Sequence, residues 1–221
     1  MQTNPFYKFN YLFFLLAMPA VFISCNDAEK PTGQKKTEIS IDTLHKKESV
    51  NPYITYDQSP MDMSYYPPDY PILKMNGSDT SSLVARVIYS RPQKKGRLIF
   101  GPPGKGLREY GKEWRLGANE ATEIEFFKDV MVGKSNISRG RYIIYCIPYA
   151  DKWTIVLNNN LFTWGLHLDT SRDVFKTDIS TTIQNPPLED FTMVFVPANN
   201  GTNLIMAWDD VRVSLPIKVK P

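Results

Sequence analysis

The run RYIIYCI, Arg141 to Ile147, is apolar at nearly every position, and KWTIVLN, Lys152 to Asn158, repeats the pattern after a short break at Pro148 to Asp151. Strands buried on both faces read this way, whereas an amphipathic helix returns a polar residue every few positions. Two such runs joined by a short turn predict a central hairpin. Around it the period is two. LVARVIYS puts Leu83, Ala85, Val87 and Tyr89 on one face, and ATEIEFF sets Thr122, Ile124 and Phe126 against Glu123 and Glu125. DFTMVFV, TNLIMAW and VRVSLPIKV are three further strands, with turns at Asn199-Asn200-Gly201 and at Asp209-Asp210. Pro216 predicts that the last strand lies at an edge. MDMSYYPPDYP, with Pro67 and Pro68, reads as a surface arm leading into the first strands. No long helical pattern interrupts them. Many short strands with Gly, Pro, Asn and Asp between them predict an all-β fold, an antiparallel β-sandwich of jelly-roll type.

The fold is expected to begin near Tyr53. Ahead of it, Lys8 precedes FNYLFFLLAMPAVFISC, an apolar run that ends in Ser24 and Cys25. The run is short and carries a proline, which fits an export signal over residues 1–24 better than a membrane span. The cysteine after it resembles the lipobox of bacterial lipoproteins, in which the signal is cut before the cysteine and the sulfur is acylated; Phe22 stands where that pattern usually has Leu. Residues 25–52 are polar, charged and too poor in apolar groups to order themselves. They are expected to form a disordered tether that reaches on the order of 30 Å. Asp27 and Glu29 resemble the acidic surface-export signals of some Gram-negative lipoproteins. The expectation is a cell-envelope protein, lipid-anchored through Cys25 to a bacterial membrane, the outer membrane foremost. With two cysteines in the chain and one acylated, Cys146 has no disulfide partner and reads as a small core residue.

Within residues 53–221 the chemistry is sparse. A net charge of +3 with no basic tract excludes a nucleic-acid reading. IFGPPGKGLRE is not a phosphate loop: Ile99 stands where the first glycine is required, Gly106 follows Gly104-Lys105 where Ser or Thr is required, and Pro102 and Pro103 lack amide hydrogens. Of two histidines, His45 falls in the tether. His167 and Asp169 share one face of WGLHLD and can begin a metal site, although a structural histidine is the simpler reading. Glu120, Glu123, Glu125, Asp169 and Asp173 are acids available for paired-carboxylate hydrolysis, and Glu123 and Glu125 are more simply a solvated strand face. No catalytic residue and no cofactor is assigned.

The strongest local signal is a polar knot. Arg91, Arg97 and Arg115 can converge with Asn119 and Glu120 at one end of the sandwich, with a stacking face from Trp114, Trp164 or Tyr110. Guanidinium forks suit carboxylates, phosphates and vicinal hydroxyls, and an amide with a carboxylate suits sugar hydroxyls. The alternative is a buried, mutually satisfied corner in which Arg115 pairs with Glu120.

YSRPQKKGRLIFG, YGKEWRLGANEATEI, the Gly140 to Ile147 strand, KWTIVLN, Trp164-Gly165, Asp173-Val174 and the closing Trp208 with VSLPI occur here in the order of a bacterial family called domain of unknown function 2911, which the chain resembles from about Ser59 to Ile217. The resemblance implies an exported or lipid-anchored envelope protein and carries no reaction or substrate with it. Two departures stand out: PPGKGLRE replaces a shorter, more apolar lead into YGK, and Leu116 stands where Thr is usual. Together these readings point to a non-catalytic module binding a glycan or another polar envelope ligand through Arg91, Arg97, Tyr110, Trp114, Arg115, Asn119 and Glu120. A carboxylate- or metal-dependent hydrolase and a purely structural lipoprotein are the alternatives.

Overall fold

The computed structural model describes residues 59–78 and 81–220. The apolar leader, Cys25, His45 and the stretch expected to be a tether lie outside the described residues.

The elements in chain order are β1 (Met61–Tyr66), α1 (Tyr70–Met75), β2 (Ala85–Ser90), β3 (Phe100–Gly101), β4 (Arg108–Glu109), β5 (Glu123–Phe126), β6 (Val130–Val132), β7 (Ser135–Ile137), β8 (Gly140–Pro148), β9 (Lys152–Asn158), β10 (Asp173–Ser180), β11 (Thr182–Ala198) and β12 (Gly201–Val219). They form a sandwich. One sheet has six strands in the order β1-β2-β5-β8-β9-β10, the other four in the order β11-β12-β6-β7, and every neighbouring pair is antiparallel. The central hairpin is β8 and β9, in register from Ile143↔Asn158 to Pro148↔Trp153.

The inner faces alternate as the sequence predicts. Val87, Ile124, Ile144 and Ile155 from one sheet meet Met193, Leu204, Met206 and Val213 from the other. At the centre is an aromatic nest. Trp114 stacks on Trp208 at 5.6 Å, and meets Trp153 and Phe191 edge-on at 5.6 and 4.8 Å. Phe100 packs against Trp153 at 5.1 Å. Such rings bury large areas, and each offset or edge-on pair adds roughly 0.5–1.5 kcal/mol beyond that. Cys146 is free and fully buried beside this nest, and burial pushes its thiol well up.

Two local expectations are corrected. MDMSYY is not an arm but the edge strand β1, whose backbone pairs with β2 from Met61↔Ser90 to Tyr66↔Ala85. Edge strands need little apolar alternation, and here Tyr66 alone packs on the core. The last strand is not at an edge either, because β6 pairs beyond it. Pro216 is tolerated because that ladder starts only at Ile217↔Val132. Thr182 to Asp190, which precede the DFTMVFV run, extend β11 to 17 residues and carry cis Asn185-Pro186.

β12 itself doubles back. Nineteen extended residues would span about 60 Å, yet the amide of Val219 donates to the carbonyl of Asn200 at 3.2 Å and a Cβ on Gly201 would lie 2.1 Å from the Ile217 oxygen. The reversal falls at Asp209, whose φ is 57°, in the Asp209-Asp210 pair read as a turn.

Candidate functional site

The outer face of the six-stranded sheet is ruled by charge at one end and by a loop at the other. Arg86 pairs with Glu125 at 2.6 Å, and Arg141 bridges Glu123 and Glu125 at 3.5 and 3.7 Å. Glu123 and Glu125 are thus an ion-paired strand face.

At the other end the chain leaves β9 and runs over the sheet from Asn159 to Asp169. Both ends of this loop are anchored on Asn158, which is fully buried. Its amide nitrogen donates to the Asp169 carbonyl at 2.8 Å and to the Asp173 carboxylate at 2.7 Å, and its carbonyl oxygen accepts from the Asn160 amide at 2.7 Å. The Tyr145 hydroxyl donates to the same Asp173 carboxylate at 2.9 Å. Burial foremost, with that carboxylate next, raises the Tyr145 phenol far above its ordinary value. Arg172 closes the base through a 2.9 Å bond to the Asn160 side chain.

The middle of the loop is pressed onto the segment 115–121. The amide of Ala121 donates to the Thr163 carbonyl at 3.1 Å, and the Arg115 guanidinium donates to the Trp164 carbonyl at 2.8 Å. Gly165 has φ 74°, and a Cβ there would lie 2.9 Å from that of Ala121 and 3.0 Å from that of Arg115. Only glycine permits this approach. Fastened in this way, the loop still turns its large side chains outward: Phe162 is 83% exposed, Leu166 66% and Trp164 52%. The Arg115 guanidinium sits 5.8 Å from the centre of the Trp164 ring. Burial lowers its pKa, and Glu120 opposes that. No ion pair joins Arg115 and Glu120; the backbone oxygen of Trp164 takes the place of the expected carboxylate.

The other residues of the polar knot are placed separately. Trp114 is buried, its backbone paired with Cys146 of β8 and its ring in the aromatic nest, so it offers no stacking face to solvent. Tyr110 packs against the core. Arg97 is exposed and caps its own turn, donating to the carbonyls of Lys94 and Gln93. Asn119, at φ 58°, reaches the Ser59 carbonyl at 3.4 Å, and Glu120 is exposed. Leu116 is fully buried in the core, and its carbonyl accepts from the Thr122 hydroxyl at 2.6 Å. This stretch is therefore a hydrogen-bonded corner whose outward members are Arg115 and Glu120, with the Arg115 Nε left without a partner.

Arg91 belongs to another cavity, of about 470 Å³, between β1, α1 and β11. There Asp62 accepts from Arg91 at 3.3 Å and from the Tyr89 hydroxyl at 3.2 Å, and burial pushes Tyr89 up to about 12. Neither Arg97 nor Arg115 lines it. His167 and Asp169 are both exposed, and the Asp169 carboxylate accepts from the amide and hydroxyl of Ser171. No three metal-ligating side chains gather among the described residues.

Sequence reasoning missed Phe162 and the Tyr145–Asn158–Asp173 anchor. It also missed Arg108, which lies 5.7 Å over the Trp114 ring at the end of the turn Pro102 to Leu107. Tyr145 and Asn158 looked like ordinary strand positions, Asp173 stood only as one acid among several, and Arg108 lay in a stretch read only as not being a phosphate loop.

No curated protein and no solved structure matches this chain. A family model matches residues 74–217 of the 221, starting somewhat after the Ser59 at which the motif resemblance begins. The chain belongs to that family, described as protein of unknown function (DUF2911).

Proposed function

We propose that this is a lipid-anchored protein of the bacterial cell envelope, held through Cys25 to the outer membrane, whose β-sandwich binds a glycan without reacting on it. The observation that carries the reading is the Trp164 ring standing half-exposed over the Arg115 guanidinium on a loop fastened at both ends. An exposed aromatic face takes the apolar face of a sugar ring, and a guanidinium fork takes its hydroxyls or carboxylate. Rigidity matters because a platform ordered before binding loses little entropy when the ligand arrives. Phe162, at φ 60° and nearly fully exposed, extends the platform. A non-glycine residue held in that backbone region is uncommon, and such positions concentrate at functional sites.

The test is tryptophan fluorescence titration of the purified full chain with a set of envelope glycans: muropeptides, lipopolysaccharide core oligosaccharide and soluble capsular polysaccharide. One glycan should bind saturably, and Trp164→Ala and Arg115→Ala should each weaken it at least tenfold. Equal binding by either variant and the wild type would remove that residue from the site. The anchor is tested apart from the site: the chain should partition into detergent, and Cys25→Ala should move it to the aqueous phase. Continued partitioning of the variant would refute acylation at Cys25.

A further inference from the structure

The turn that follows β3 brings a second cation into an unusual place. Pro102 to Leu107 folds back on β3 so tightly that a Cβ on Gly106 would lie 2.5 Å from the Gly101 amide nitrogen. The parallel pair Phe100↔Arg108 then delivers Arg108 to the edge of the aromatic nest. Its side chain lines a cavity of about 270 Å³, room for several waters, together with Lys112, and the buried Trp114 forms part of the floor.

No acidic side chain pairs with Arg108 among the described residues, and its buried Nε has no hydrogen-bond partner. Two carboxylates, Glu109 and Glu113, line the same cavity, but neither is among the groups whose charge acts on Arg108. Glu109 accepts from the Gly104 amide at 2.9 Å, and Glu113 is exposed. The neighbours that do act on Arg108 include two more guanidiniums, Arg115 and Arg97; burial first, and then these, push it down to about 10. It is still a cation at neutral pH. A half-buried charge with no ion-pair partner is costly, and the Trp114 face returns only part of that cost. Leu or Met at this position would cover the nest without the penalty. An anionic ligand resolves the conflict, because it supplies the missing counter-charge and suits a planar fork of donors.

We propose that Arg108, with Lys112 beside it and Arg97 and Arg115 adding to the positive field, binds a phosphate group, either inorganic phosphate or the phosphate of a monoester, at the mouth of the cavity over Trp114. This site is distinct from the Trp164 platform. Trp114 and Arg115 are adjacent in an extended segment and so face opposite sides of the sheet.

Inorganic phosphate is titrated into the purified full chain at ionic strength held constant with chloride, followed by calorimetry and by phosphorus NMR line broadening. Wild type should bind saturably, and Arg108→Gln should bind at least tenfold more weakly. Glucose 6-phosphate in a parallel titration separates the two sources: tighter binding than phosphate assigns the site to esters, and weaker binding assigns it to the free ion. Trp164→Ala should leave phosphate affinity unchanged. Absence of saturable binding by wild type, retention of affinity in Arg108→Gln, or loss of it in Trp164→Ala would each overturn the proposal. If circular dichroism shows Arg108→Gln unfolded, Arg108→Lys decides. It keeps the charge and loses the fork, so a threefold or greater loss supports the site and an unchanged affinity overturns it.

Discussion

The guanidinium of Arg115 lies 5.8 Å from the centre of the Trp164 ring while donating a 2.8 Å hydrogen bond to the carbonyl of the same residue. One cation therefore holds both the backbone and the side chain of the loop tip. Because Trp164 is half-exposed and no core residue rests on its ring, Trp164→Ala should change stability by less than about 1 kcal/mol. Arg115→Ala should do more, because the Trp164 carbonyl loses its donor and the tip loosens. Amide exchange at residues 160–168 should accelerate in Arg115→Ala and stay unchanged in Trp164→Ala. Equal acceleration in both would mean that ring packing, and not the hydrogen bond, fastens the loop.

Asn158 is the hinge pin of the same loop. Its side chain is fully buried and joins Asp169, Asn160 and Asp173. Removing it leaves buried polar partners unsatisfied, each worth about 1–3 kcal/mol. Asn158→Ala should lower the denaturant midpoint accordingly and raise protease cleavage within residues 159–169. Asn158→Asp should be worse, since a second carboxylate would face Asp173 at the position now held by the amide. A variant as stable as wild type would show that the Tyr145–Asp173 bond alone suffices.

Much of the sandwich is legible in the sequence because burial imposes a period. The β8–β9 hairpin has apolar residues on both faces, and only a central strand explains that. The reversal in β12 falls at Asp209-Asp210, where Asp tolerates positive φ. What stays hidden depends on which side of a surface a residue faces. Trp114 and Arg115 are neighbours in one polar string, yet extended backbone sends one into the core and the other outward. Nothing local marks Trp114 as buried and Trp164 as exposed. Arg91 and Arg97 lie six positions apart, but Arg91 is drawn to Asp62 of β1, a strand without apolar alternation to announce it. Arg108 is hidden for a third reason: its setting is made by a glycine turn whose path only the folded chain reveals.

The aromatic nest should carry much of the stability. Trp153 is fully buried and touches both Trp114 and Phe100. Truncating such a residue costs about 3–5 kcal/mol, from lost burial and from the cavity left behind. Against a typical domain stability of about 5–15 kcal/mol, Trp153→Ala should lower the thermal midpoint steeply or prevent folding. Trp153→Phe should recover more than half of the loss. A midpoint within a few degrees of wild type for Trp153→Ala would show that the nest relaxes to fill the space.

Tyr89 predicts an alkaline limb. Burial raises its phenol from 10.0 to about 12, and the nearby Asp62 adds to the rise. Below pH 10 the phenol is protonated in both folded and unfolded chains, so its contribution is fully present. Between pH 10 and 12 the unfolded chain releases this proton first, and stability falls by up to about 1.4 kcal/mol per pH unit. Tyr145 is shifted in the same direction and steepens the same window. Tyr89→Phe gives up the 3.2 Å bond to Asp62, costing about 1 kcal/mol at neutral pH, but it should flatten the limb by about one proton. Denaturant midpoints measured from pH 7 to 11.5 provide the comparison. If the two proteins lose stability in parallel above pH 10, the Tyr89 phenol ionises as readily in the folded chain as in the unfolded one, and the cavity beside Asp62 is wetter than its packing implies.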